Sequence, residues 1–146
     1  TGSMTHTFRY KNIDLSLFFQ TALGFDIFNI HDFYYGTKNF QGNVMDKAYS
    51  KNKIISQNPI VCDYFLEPGD YLKLSSINLG YTLNLNKKYV DAIRLYATVS
   101  NLFTITKFSG IDPSNYQLNG LNPGATGSRT YFPATRQFMI GMQIDF

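Results

Sequence analysis

The feature that most constrains the fold is a regular alternation of apolar and polar side chains over residues 13–27. The odd-numbered positions are apolar except for Thr21, and the even-numbered positions are polar or small except for Phe18. A period of two places successive side chains on opposite faces of a β-strand, whereas a helix repeats every 3.6 residues. The alternation therefore predicts one strand over residues 13–27, longer than the roughly five or six residues of an average strand in soluble domains.

The same period recurs in other parts of the chain, so the sequence predicts an all-β fold. A phase change at Ser75 and Ser76 predicts a β-bulge within one of these strands. Together, the alternating segments predict an antiparallel meander of about five long strands, each apolar on one face and polar on the other. The further strands are predicted at residues 5–11, 72–83, 93–106 and 137–146.

The connections between these strands alternate in length. Short polar turns are predicted at residues 11–12 and 84–88, and two long loops at residues 28–70 and 107–135. Loops of this length are uncommon in compact soluble domains, and short turns at one rim with long loops at the other are typical of outer-membrane barrels. Because the smallest bacterial barrels have eight strands, we expect this chain to be one part of a larger barrel.

Composition excludes several other classes. Charged residues make up 16% of the chain, and the net charge of +3 is scattered, which argues against a nucleic-acid surface. Apolar runs are far shorter than the ~18 residues that a membrane-spanning helix needs. The two histidines, His6 and His31, are not part of any hydrolase, metalloprotease or phosphate-binding motif. We therefore expect no enzyme, no metal and no cofactor.

The predicted loops contain the best candidates for ligand binding. Tyrosine offers a flat apolar face, and neighbouring amides and carboxylates offer directional hydrogen bonds, as a sugar or peptide site requires. The alternative is that these aromatic side chains pack the loops or lie at a membrane interface. The candidates are Tyr34 and Tyr35 in the first loop and Asp112, Asn115 and Tyr116 in the second.

A second group of candidates lies on the polar face of the predicted strands. Asp14, Gln20 and Arg94 would face the lumen of a barrel, where they would line the solute path or bond to a domain inside it. A soluble β-sandwich shows the same alternation with its apolar face turned inward, so a soluble carbohydrate-binding module remains an alternative. A purely structural barrel or an adhesin is a third alternative.

Several stretches of the chain resemble the SusC/RagA-type, TonB-linked outer-membrane transporters of Bacteroidetes. The resemblance is carried by DYLKLSSINLGYTL at residues 70–83, by YATVSNLFTITK at residues 96–107 and by SGIDP at residues 109–113. Ser114 stands where the family usually has an acid, and NLN at residues 84–86 where it often has a proline. The other matching stretches are TGS and TFRYKN within residues 1–12, YFP at residues 131–133 and the segment at residues 138–146.

The resemblance implies that residues 1–146 form the C-terminal segment of a TonB-dependent receptor barrel. The plug domain and the TonB box of the family would lie outside these residues. It further implies active import of glycans or peptides across the outer membrane of a Gram-negative, Bacteroidetes-like cell. The implied partners are the rest of the barrel and its plug, a SusD-like surface lipoprotein, TonB and outer-membrane lipid, with no nucleic acid.

The last predicted strand also resembles the recognition signal of the barrel-assembly machinery. An extended strand can be captured by β-augmentation, with pockets that accept alternate side chains. Phe146 either takes part in this signal or completes the lipid-facing stripe, and both roles are compatible. The residues in one phase are Phe138, Ile140, Met142, Ile144 and Phe146.

Overall fold

A computed structural model describes residues 1–40, 42–55, 57–87, 89–116, 124 and 132–146. Part of each predicted long loop, including Tyr131 of the family resemblance, lies outside these residues. The chain divides into two compact units. The sheet unit comprises Thr1–Ala22, Leu72–Ile105 and Ala134–Phe146, and the loop unit comprises Leu23–Tyr71 and Thr106–Pro133.

The described residues are mostly strand. One short α-helix (α1) covers Ile30–Tyr35, and two 3₁₀ turns cover Asp46–Ala48 and Asp63–Phe65. In the described part of the chain, every helix is too short or too polar to cross a membrane. The strands are β1 (Gly2–Tyr10), β2 (Ile13–Ala22), β3 (Asp26–Phe28), β4 (Leu66–Pro68), β5 (Tyr71–Lys87), β6 (Val90–Thr106) and β7 (Gln137–Asp145).

Five long strands form one sheet in the order β1-β2-β5-β6-β7, which confirms the predicted meander. The β1–β2 and β6–β7 pairs are antiparallel. Their registers place apolar residues opposite apolar residues on one face, because the period of two keeps each strand in phase with its neighbour. The pairs on this apolar face include Phe8 with Leu15, Leu95 with Met142, Ala97 with Ile140 and Val99 with Phe138.

The opposite face of the sheet is polar, and its contacts confirm the predicted phase change in β5. The Ser75 hydroxyl donates to Gln20 Oε1 at 2.6 Å, and the Thr98 hydroxyl donates to Asn78 Oδ1 at 2.9 Å. Gln20 and Thr98 both lie on the polar face, so Ser75 and Asn78 share that face although three positions separate them. An odd separation on one face requires one extra residue, which is what a β-bulge supplies.

The prediction of a single strand over residues 13–27 is wrong. β2 ends at Ala22, and Gly24 has a φ of +76°, a conformation that glycine adopts without strain. The Gly24 amide donates to Asp70 Oδ1 at 2.6 Å, and the chain then continues as β3, which pairs with β4 in a separate two-stranded sheet. Ile27 is fully buried in the loop unit and does not belong to the apolar face. A bend between two strands leaves the period unchanged, so the pattern could not reveal it.

Residues 28–70 are more ordered than a loop prediction allows. Asn29 caps α1 by accepting a hydrogen bond from the Asp32 amide at 3.1 Å, and β4 follows the second 3₁₀ turn. Such short elements are too brief to show a period. Residues 84–87 also belong to β5, so the turn that follows is shorter than predicted. The loop unit has its own buried apolar side chains: Ile27, Ala48, Phe65 and Phe108.

Candidate functional site

An ion pair crosses the polar face of the sheet between two strands that are not neighbours. Arg94 Nη2 on β6 lies 2.7 Å from Asp14 Oδ2 on β2, and β5 runs between them. The pair passes over Gly80: a Cβ there would come within 2.5 Å of the Asp14 carboxylate and 2.6 Å of the Arg94 guanidinium. The absence of a side chain at Gly80 therefore makes room for the bridge.

The structure places the three polar-face candidates on the same face but in two different contacts. Asp14 and Arg94 bond to each other, whereas Gln20 accepts from Ser75 further along the sheet. A second glycine on this side has a similar role, because the ring of Tyr96 lies against Gly141, its cross-strand partner. The polar face is thus built from directed contacts over glycines, and whether it lines a lumen stays a prediction.

A cavity of about 340 Å³ opens on the polar face beside the β1–β2 turn. Lys11 in this turn has a φ of +51°, and the Asn12 carbonyl accepts a hydrogen bond from the Thr82 amide at 2.8 Å. The turn is therefore fixed to β5. The polar side chains that line the cavity are Arg9, Lys11, Asn12, Asp14, Thr82, Asn84 and Arg94.

Tyr34 and Tyr35, the candidates of the first loop, lie on α1. The Tyr34 ring packs edge-on against Phe33 with 5.0 Å between centroids, and the Tyr35 ring packs edge-on against Phe40 at 4.8 Å. Tyr34 is partly exposed and Tyr35 is half-buried. These contacts fit the alternative in which the aromatic side chains pack the loop, so their role in ligand binding stays a prediction.

The candidates of the second loop form a turn and a ring contact. Asp112 is buried, and its Oδ1 accepts from the Ser114 amide at 2.9 Å and from the Ser114 hydroxyl at 2.6 Å. The Asn115 amide donates to the Asp112 carbonyl at 3.3 Å. The Tyr116 ring lies 4.7 Å from the ring of Phe25. Asp112 thus has a structural task in this turn, independent of any ligand.

Sequence reasoning missed a polar network inside the loop unit. Lys47 Nζ lies 3.3 Å from Asp32 Oδ2 and 3.8 Å from Glu67 Oε1, and it donates to the Ser109 hydroxyl at 2.6 Å. Ser109 also donates to Glu67, through its amide at 2.7 Å and its hydroxyl at 2.6 Å. Asn29 Nδ2 donates to Glu67 Oε1 at 3.2 Å. The network joins segments that are far apart in sequence.

A fully buried amide extends this network. Asn52 Nδ2 donates to Asp32 Oδ1 and to the Gly36 carbonyl, both at 2.8 Å, and Asn52 Oδ1 accepts from the Tyr64 hydroxyl at 2.9 Å. Asp32 itself is only 1% exposed. Buried polar groups of this kind are stabilising only when their hydrogen bonds are satisfied. No spacing in the sequence signals the network, because its members come from separate short elements.

The network also changes the acidity of Glu67. Burial alone raises the pKa of this carboxyl group, but the hydrogen bonds from Ser109 and Asn29 and the charge of Lys47 outweigh it. The net result is a pKa below the ordinary value of 4.5. Glu67 is therefore held in its charged form as a hydrogen-bond acceptor.

The residues predicted as an assembly signal lie at the edge of the sheet. Phe138, Ile140, Met142 and Ile144 alternate along β7 on the apolar face, and Phe146 follows the strand. Ile140 is 85% exposed and Phe146 is 86% exposed. They are accessible to a partner, and recognition by an assembly machinery stays a prediction.

Comparisons with known proteins agree with the fold. No family model matches the chain. It is 28% identical to TonB-dependent receptor P3 of Formosa agariphila over 165 residues, covering 100% of this chain and 16% of that protein. It is 29% identical to TonB-dependent receptor SusC of Bacteroides thetaiotaomicron over 157 residues, covering 98% of this chain and 15% of the relative.

A solved transporter structure is also similar to this chain. The RagAB peptide importer in its closed-closed state has 26% sequence identity to this chain and a TM-score of 0.72. The match covers 97% of this chain and 17% of the importer chain. The chain therefore spans only a small part of the length of its relatives. In both sequence and fold, it matches a segment of the SusC/RagA-type TonB-dependent transporters.

Proposed function

We propose that this chain is the C-terminal barrel segment of a TonB-dependent importer in the outer membrane of a Bacteroidetes-like cell. The observation that carries the proposal is the two-faced sheet. One face presents large apolar side chains such as Leu95 and Ile140 without cover, and the other presents the Asp14–Arg94 pair. A wall between lipid and an aqueous lumen needs this distribution of side chains.

The proposed task of the segment is to complete the wall of a transport barrel. The curated relatives are named TonB-dependent receptors, which supports energy input through TonB. RagAB is named a peptide importer, which supports peptides as one class of substrate and a two-component assembly with a SusD-like surface lipoprotein. Glycans are the other class. Asp14, Gln20 and Arg94 would then face the solute path.

The alternative, a soluble β-sandwich module, is disfavoured by exposure. A sandwich covers the apolar face of each sheet with side chains of the other. Ile140 lies on the apolar face and is largely exposed, as are Phe8 and Phe138. In the part of the chain that the structure describes, the buried apolar side chains lie mainly in the loop unit.

Cysteine labelling in liposomes tests the proposed membrane face. Cys62 is exposed, so the experiment uses the full-length protein with Cys62→Ser as background. We expect a water-soluble maleimide to label Ser16→Cys on the polar face and to leave Leu17→Cys unlabelled. Equal labelling at both positions would contradict the proposal.

An uptake assay tests the transport role. Cells that carry the full-length protein should accumulate a labelled peptide or glycan only when TonB is present. Comparing the two substrate classes side by side decides between them. Equal accumulation with and without TonB for both classes would exclude active import.

A further inference from the structure

The cavity beside the β1–β2 turn has an excess of positive charge. Arg9, Lys11 and Arg94 line it, against a single carboxylate, that of Asp14. Asp14 is already bonded to Arg94 at 2.7 Å. Among the described residues, the Arg9 side chain makes no hydrogen bond or ion pair, and the Lys11 ammonium lies 5.4 Å from the centroid of the Tyr10 ring. Two cationic side chains therefore lack a carboxylate.

The backbone that carries these side chains is held in place by its neighbours in the sheet. Arg9 stands opposite Asp14 in the β1–β2 register, so both belong to the polar face. The hydrogen bond from the Thr82 amide to the Asn12 carbonyl fixes the turn against β5, and Gly80 leaves the space in which Arg94 reaches Asp14. The three cationic side chains thus line one open cavity of about 340 Å³, and those of Arg9 and Lys11 are exposed.

We propose that this cavity binds the carboxylate of an Asp or Glu side chain from another part of the same polypeptide, outside these 146 residues. A guanidinium matches a carboxylate with two parallel hydrogen bonds, and an ammonium adds a point charge. The cavity opens on the polar face, so its ligand approaches from that side. The relatives are several times longer than this chain, which covers 16% and 15% of them, so further polypeptide is the natural source of such a group.

Binding of a carboxylate in this cavity requires only the polar face and is independent of any transport activity. It assigns a task to Arg9 and Lys11, which the proposed function leaves without one. Because Asp14 already neutralises Arg94, the incoming carboxylate meets Arg9 and Lys11. A ligand with one negative charge would leave the cavity with one excess positive charge.

Carbodiimide crosslinking of the full-length protein in detergent tests the proposal. A water-soluble carbodiimide couples a lysine amine directly to a carboxylate that contacts it. Mass spectrometry should find Lys11 joined to an Asp or Glu outside residues 1–146. The crosslink should disappear in Lys11→Arg, which keeps the charge but has no amine to couple, while crosslinks at other lysines remain.

Three further variants exclude explanations that do not involve a distant carboxylate. Asp14→Asn removes the carboxylate within the cavity, and the crosslink to the distant acid should persist. Arg9→Gln should lower its yield several-fold, whereas Lys53→Gln, which removes an exposed cation of the loop unit, should leave it unchanged. Coupling of Lys11 only to Asp14, or to no carboxylate at all, would overturn the proposal.

Discussion

The sheet unit and the loop unit are stabilised in different ways. The sheet unit repeats one alternation over five strands and leaves the side chains of one face without cover. The described part of the loop unit has little regular structure, yet it buries Asn29, Asp32 and Asn52 almost completely and satisfies them with each other and with Lys47, Glu67 and Tyr64. The stability of the sheet therefore depends on what covers its apolar face, whereas the stability of the loop unit depends on particular polar contacts.

The largest effect should come from a charge on the apolar face. We expect Leu17→Arg to lower the free energy of unfolding in lipid vesicles by about 2–4 kcal/mol, because an arginine at the bilayer midplane loses its hydration. Ser16→Arg, one residue away on the polar face, is the matched control and should cost little. Denaturant titration of the full-length protein in vesicles measures both, and equal losses would remove the distinction between the faces.

A smaller effect should follow from breaking the polar network. Asp32→Ala leaves the Asn52 amide without one acceptor and Lys47 without its nearest carboxylate. We expect local stability in the loop unit to fall by about 1–3 kcal/mol, the usual cost of an unsatisfied buried group. Hydrogen exchange of the α1 amides measures this. Asp63→Ala, an exposed carboxylate of the same unit, should leave exchange unchanged, and equal effects would show that the network adds nothing.

The lowered pKa of Glu67 predicts that the stability of the loop unit depends on pH. Because the folded-state pKa lies below 4.5, the stabilisation is complete above that value and is lost as pH falls through the folded-state pKa. Acidification should therefore weaken protection of the Ser109 amide, after correction for intrinsic exchange. Glu67→Gln should abolish this dependence. A pH dependence that persists in the variant would assign it to another group.

The smallest effect on stability should come from adding a side chain at Gly80, beneath the Asp14–Arg94 pair. Replacing glycine by alanine in a strand interior usually raises the free energy of unfolding by about 0.5–1 kcal/mol. Here its Cβ would displace the Asp14–Arg94 pair, which is partly exposed and worth roughly 0.2–1 kcal/mol. We expect Gly80→Ala to be neutral alone and stabilising in an Arg94→Gln background. A double-mutant cycle without coupling would mean that the pair does not depend on Gly80.

The sheet could be predicted from sequence because each strand repeats its pattern over many residues. The faces of β2, β5, β6 and β7 and the bulge near Ser75 follow from the phase of apolar side chains, and the order of the strands follows their order in the chain. The break at Gly24 could not be predicted, since β3 continues the same period after the bend. The network around Asp32 could not be predicted either: its members are ordinary loop residues, and only the three-dimensional path of the loop unit brings them together.

The ion pair over Gly80 has a consequence for how the sheet assembles. Asp14 and Arg94 are 80 residues apart in the chain. Closing so large a loop in the unfolded chain costs conformational entropy that a single ion pair does not offset. The pair becomes available only after β5 has inserted between β2 and β6 in its native register. A slip of β5 by one residue would put Leu79 or Tyr81 beneath the two charges and separate them. The ion pair therefore stabilises the native register of β2, β5 and β6 and not a misregistered intermediate.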